Sequence, residues 1–158
     1  MADAAHDPEN TIKLVTSKGS VTIALRPDLA PGHVERIKLL AREGFYNGVK
    51  FHRVIDGFMA QTGCPHGTGT GGSNHPNLAA EFNSEPHVRG TCSMARAQAP
   101  NSANSQFFIC FGDTSFLNGQ YTVWGQVVEG MEAIDAINKG EPPADPDHIV
   151  SMTVAADA

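Results

Sequence analysis

Residues 51–63 read FHRVIDGFMAQTG, and one arginine, Arg53, stands inside that apolar run with Phe58, Met59 and Gln61 close behind it. Arginine stays charged and carries its donors in a rigid fork. Set among large apolar side chains, such a group is suited to presenting fixed hydrogen bonds to a single acceptor. Other candidate chemistries have less support. GTGTGG (67–72) matches a dinucleotide-binding fingerprint letter for letter. The residues after it, SNHPN, contain Pro76 and open no helix, so the pattern reads as a loop needing positive φ or a close backbone approach. Cys64, His66 and His75 lie near one another, but structural zinc takes four ligands and no fourth is evident, so they read as loop residues and no metal is expected. There is no GxSxG, and Cys92 and Cys110 fall in strand-like segments where buried, inert thiols are the common outcome.

The segments that must position Arg53 are mostly short and strand-like. TIKLVTSKGSVTIALRP (11–27) reads as a hairpin, with Val21, Ile23 and Leu25 in strand period and Lys18-Gly19 as its turn. Pro31 suits the first position of a helix over 31–44, whose apolar face is Val34, Ile37, Leu40 and Ala41. Residues 49–55 and 58–62 read as strands joined at Asp56-Gly57. Residues 91–97, 106–111, 121–128 and 149–155 read as further strands. A second helix is expected over 130–140, with Met131, Ile134 and Ile137 along one stripe. Strands dominate without β-α-β alternation, which favours a mainly antiparallel barrel or sandwich with two capping helices.

Composition agrees. A chain of 158 residues with 41% apolar residues supports one sizeable core. Only 18% are charged, and 16 glycines and 10 prolines imply many turns. A net charge of -6 with scattered Lys and Arg argues against nucleic acid or an anionic membrane as partner. Residues 1–10, MADAAHDPEN, carry neither the basic nor the apolar run of a secretory signal and are expected to be a flexible acidic tail before a single domain at 11–158. Three separated cysteines without a CxxC pair suggest a reduced, cytoplasmic setting.

FHRVIDGFMAQTG, the Gly-rich loop, SMARA (93–97) and SQFFI (105–109) follow one another at a spacing that resembles the cyclophilin family of peptidyl-prolyl cis-trans isomerases, over roughly residues 11–155. The small bacterial cytoplasmic members are the most similar. The resemblance implies a mainly β fold, a closed eight-stranded antiparallel β-barrel capped by two α-helices. It implies an active groove on the barrel's outer face. Arg53 would be catalytic. Phe58, Met59, Phe108 and Leu117 would line a proline pocket. Gln61 would bond the substrate carbonyl or orient Arg53, and Gln106 would shape the same wall. Ala95, Arg96 and Ala97 would form a peptide-binding strand, with Arg96 acting through its backbone. Gly69 would sit at the groove edge. His52 is expected to be structural or to support the groove from behind.

Three positions depart from the pattern of many eukaryotic members. Phe116 replaces a tryptophan, Tyr121 a histidine and Arg96 an asparagine. Loss of the indole N–H should weaken binding of the inhibitor cyclosporin. The implied partners are proline-containing peptides and unfolded or nascent proteins, acted on by a monomer with no cofactor. The competing reading is a non-catalytic proline-peptide binding module or chaperone using the same groove. Such a binder would be expected to lose Arg53 or Gln61, and both are present.

Overall fold

The computed structural model describes residues 8–67, 71–96, 99 and 101–157. Two-residue alternation builds its first hairpin. In β1 (Thr11–Thr16) Ile12 and Leu14 are buried while Lys13 is exposed, and in β2 (Gly19–Leu25) Val21, Ile23 and Leu25 are buried. Thr16 pairs with Gly19, so the turn is Ser17-Lys18, one residue earlier than Lys18-Gly19. α1 (Pro31–Arg42) starts on its proline and buries Val34, Ile37, Leu40 and Ala41. The remaining elements are β3 (Arg53–Ile55), β4 (Met59–Thr62), β5 (Thr91–Met94), β6 (Phe107–Cys110), β7 (Thr122–Glu129), α2 (Met131–Asp135) and β8 (Ile149–Val154).

The eight strands form one antiparallel sheet in the order β3-β4-β6-β5-β7-β2-β1-β8. The expected closed barrel is corrected to a curled half-barrel. Among the described residues β3 and β8 share no ladder. The seam is spanned by the chain just before β3: Phe51 N–H donates to the Asp147 carbonyl, and Lys50 forms an isolated bridge with His148. The concave face holds the main core. There the Phe107 ring meets Tyr46 and Trp124 edge to face, at centroid distances of 5.5 and 5.4 Å. Ile37, Leu40, Ile134 and Ile137 close this core from the helical side.

The first turn of α1 receives a cap from far away in sequence. Ala30 offers no side-chain cap. Glu81 instead accepts from Gly32 N–H at 3.1 Å, from His33 N–H at 2.8 Å and from the His33 ring Nδ1 at 2.6 Å. The two backbone N–H groups are among the donors that a helix start leaves without partners. A second carboxylate anchors the chain before β1. Residues Pro8–Asn10 make one 3-10 turn, and Glu9 accepts from Lys38 at 2.8 Å and Arg42 at 3.0 Å.

Burial lowers the pKa of three histidines below the usual 6.5. For His33 the Glu81 carboxylate opposes the shift, for His52 the neighbouring Arg53 adds to it, and for His87 the Asn118 oxygen opposes it. A group neutral in the fold and protonated in the unfolded chain makes the unfolded state bind more protons. Stability should therefore begin to fall as pH drops through about 6.5 and keep falling until the folded-state values are passed. Denaturant titrations at pH 7.5 and 5.0 are expected to give a lower midpoint at pH 5.0. Equal midpoints would mean that these rings charge freely inside the fold.

Candidate active site

The convex face of the same sheet carries a second, smaller apolar cluster. Alternation along β4 and β6 sends Ala60, Phe107 and Ile109 to the main core and Met59, Phe108 and Cys110 to the other side. Register does the rest. Arg53 pairs with Gln61 across β3 and β4, and Gln61 pairs with Phe108 across β4 and β6. Arg53, Gln61 and Phe108 thus stand in one row on three adjacent strands, where cross-strand neighbours lie about 5 Å apart. Phe58 and Leu117 come from the flanking turns, and Tyr121 from the residue before β7.

These side chains enclose a pocket of about 140 Å³ lined by Arg53, Phe58, Met59, Gln61, Ala95, Arg96, Phe108, Leu117 and Tyr121. Nine of the residues singled out from the sequence therefore meet at one place. Met59 and Phe108 form its buried floor, at 2% and 5% exposure. Tyr121 packs edge to face on Phe108 at 5.6 Å. Phe116 is 66% exposed and lies at the rim, its ring 5.6 Å from that of Phe58. Gln106 belongs to an adjoining polar cavity of about 390 Å³, whose wall shares Gln61, Ala95 and Arg96 with the pocket. His52 is buried and lines neither cavity. The expectations at Gly69 and Ala97 fall outside the described residues.

Two hydrogen-bond arrangements set the polar groups. Gly71 O can only accept, so Gln106 turns its Nε2 toward it, at 2.9 Å. That leaves Gln106 Oε1 to accept from Gln61 Nε2 at 3.0 Å. The relay fixes the Gln61 amide without involving Arg53. Arg53 is oriented by Glu141, whose Oε1 accepts from Arg53 Nε at 3.0 Å. Its terminal amino groups are the donors left for the pocket, and its side chain is 44% exposed.

Sequence reading missed three supports. Glu141 lies 88 positions from Arg53, and no local pattern joins them. His87 is fully buried behind the pocket, stacked on Phe108 at 6.1 Å and bonded through its ring nitrogens to Asn118 Oδ1 and Ser93 Oγ. Asn104 staples the Gly-rich loop, its Oδ1 accepting from Ser73 N–H at 2.8 Å and its Nδ2 donating to the His75 carbonyl at 2.9 Å. The Cys64, His66 and His75 set is not assembled as a ligand cluster. His75 bonds Glu43, Cys64 Sγ accepts from Gly71 N–H, and no group of three or more candidate ligands occurs among the described residues. Burial pushes the Cys110 thiol up to about 11 and raises Cys92 as well, so neither is a thiolate near neutral pH. No described helix is long and apolar enough to cross a membrane.

A curled antiparallel sheet with two helices and an arginine beside an apolar pocket on its convex face is the architecture of a class of isomerases that rotate prolyl peptide bonds. The family model described as cyclophilin type peptidyl-prolyl cis-trans isomerase/CLD matches residues 11–154, and the chain belongs to that family. A probable peptidyl-prolyl cis-trans isomerase of Brucella suis is 58% identical over 98% of this chain and 87% of the relative. The crystal structure of cyclophilin AquaCyp293 from Hirschia baltica superposes with a TM-score of 0.90 at 32% identity, over 96% of this chain and 76% of that one. A Cryptosporidium parvum cyclophilin type peptidyl-prolyl cis-trans isomerase, crystallised in the presence of the dipeptide Ala-Pro, superposes with a TM-score of 0.85 at 29% identity, over 91% of this chain and 98% of that one.

Proposed function

We propose that residues 11–158 act as one isomerase domain on Xaa-Pro bonds of unfolded or nascent chains, as a cytoplasmic monomer without a cofactor, and that Arg53 is its catalytic residue. The observation that carries this reading is the juxtaposition of Arg53 with an apolar pocket of about 140 Å³. A proline ring seated on Met59 and Phe108 would place its imide nitrogen beside the guanidinium. Rotation about that bond meets a barrier of roughly 18–20 kcal/mol because amide resonance is lost. In the twisted transition state the nitrogen becomes pyramidal and regains a lone pair, which the planar ground state lacks. A donor aimed at that lone pair binds the transition state selectively, as catalysis requires. A pocket that excludes water also disfavours the charge-separated resonance form of the planar amide.

Gln61, locked by Gln106, is assigned to the peptide carbonyl on the same side. Phe58 and Leu117 hold the ring from the sides, and Ala95 supplies backbone to an extended substrate. That the Cryptosporidium relative was crystallised in the presence of Ala-Pro supports a proline-containing ligand for this chain.

Exchange NMR on an Ala-Pro-Phe peptide tests the function. Catalytic amounts of the protein are expected to speed cis-trans exchange. Shift changes on binding without faster exchange would instead establish a binding module.

The inhibitor expectation sharpens at the rim. Phe116 offers a ring but no donor, and it lies against Phe58. Phe116→Trp adds one N–H, worth about 0.5–1.5 kcal/mol if it finds an acceptor. Calorimetry is expected to show cyclosporin binding the variant roughly two- to twelvefold more tightly. An unchanged Kd would remove Phe116 as the cause of weak binding.

A further inference from the structure

Among the described residues the wall shared by the two cavities is Gln61, Ala95 and Arg96, so its one charged group is Arg96. The described residues lining the two cavities include two arginines, Arg53 and Arg96, and no carboxylate, on a chain of net charge -6. Glu141 faces Arg53 from outside the pocket. Arg96 lines both cavities. Its Nε and Nη2 both donate to the Gln120 carbonyl, at 3.2 and 2.7 Å. Its guanidinium carbon lies 4.9 Å from the Tyr121 ring centroid and 5.9 Å from that of Phe82. A carbonyl and two aromatic faces orient the cation. The backbone role expected for position 96 does not require such a guanidinium.

We propose that the Arg96 side chain is a specificity-determining group that selects substrates with an acidic residue beside the isomerised proline. This rests on the proline occupying the pocket floored by Met59 and Phe108. An extended peptide advances about 3.3 Å per residue, so a neighbour one or two positions away reaches the shared wall. The larger cavity, at about 390 Å³, has room for a glutamate side chain, and its lining offers the polar groups of Ser102, Asn104 and Gln106 beside the small Ala95. A carboxylate there meets a held cation, while its neutral isostere meets only polar contacts.

The test is exchange NMR on peptides that carry either Glu or Gln at each of the two positions on either side of the proline. The wild-type protein is expected to favour Glu over Gln by about three- to fivefold in kcat/KM at one of these positions, the range of a partly exposed ion pair. The preference should shrink as salt rises from 20 to 500 mM, because charges near the surface are screened. Arg96→Met should bring the Glu/Gln ratio to one and Arg96→Lys should restore much of it, whatever their absolute rates. A wild-type ratio of one at every position, or a ratio that survives both salt and Arg96→Met, overturns the proposal while leaving the isomerase reading intact. If none of the peptides, Glu or Gln, is turned over, the isomerase reading fails and takes this inference with it.

Discussion

Arg53→Ala is expected to lower kcat/KM on an Ala-Pro peptide by about 10²- to 10³-fold, the loss that follows removal of one preorganised donor aimed at a developing transition state. The fold should not suffer. The side chain is 44% exposed and its partner Glu141 is 56% exposed, and such pairs contribute about 0–1 kcal/mol. The thermal midpoint should therefore stay close to that of the wild type. Arg53→Lys separates charge from geometry. A lysine keeps the positive charge but has one nitrogen, which cannot both accept the orientation imposed by Glu141 and reach the pocket as the Nε and terminal amino groups of Arg53 do. Its activity is expected to lie much nearer to alanine than to arginine. Wild-type turnover in Arg53→Ala, measured by the same NMR exchange, would falsify the assignment of Arg53. Full activity in Arg53→Lys would show that charge suffices and the fork does not matter.

What was legible in the sequence was what depends on neighbours in the chain. Alternation in Val21, Ile23 and Leu25 marks a strand, and the same rule along β4 and β6 parts Phe107 from Phe108. The apolar stripe of α1 was plain because it spans three turns and starts on Pro31. What escaped depends on distant partners. Residues 49–52 alternate like a strand, yet residues 49–51 find backbone partners at 147–149, and the ladder with β4 begins only at Arg53. The second helix was expected over 130–140 and ends at Asp135. Asn138 N–H is taken by Asp147 Oδ2 and Asn138 Nδ2 by the Asp145 carbonyl, which pulls the chain into a turn while Ile137 stays buried. The site shows the same division. Its lining residues lie in recognisable segments, whereas Glu141 behind Arg53 and His87 behind Phe108 are single residues on other segments with no periodic signature.

Gly63→Ala should join fold and site in one failure. Gly63 follows β4 with φ at +98°, a conformation that costs a residue with a Cβ about 1–3 kcal/mol. Space is the greater obstacle. A Cβ at that position would lie 2.4 Å from the Ser105 carbonyl oxygen and 2.8 Å from Gln106 Cα, both backbone atoms. Ser105 is held at both ends, its carbonyl accepting from the buried Tyr46 hydroxyl at 2.8 Å and its Oγ donating to the Gly63 carbonyl at 2.8 Å. Moving it aside would break or stretch buried hydrogen bonds, at about 1–3 kcal/mol for each group left unsatisfied. Together these give a destabilisation of roughly 3–5 kcal/mol, a large share of an ordinary domain's stability. The displaced segment carries Gln106, so the relay that holds Gln61 shifts with it, and surviving folded protein should turn over peptide more slowly than wild type. Gly57 is the control. Its φ is +74°, but a Cβ there meets nothing within 4 Å, so Gly57→Ala should cost only about 1–2 kcal/mol of backbone strain and leave the pocket in place. Urea titrations of the two variants should differ by at least 1 kcal/mol, on the order of the unsatisfied-bond cost. Similar midpoints would mean that Ser105 and Gln106 yield readily, and that the groove wall they build is not held by Tyr46.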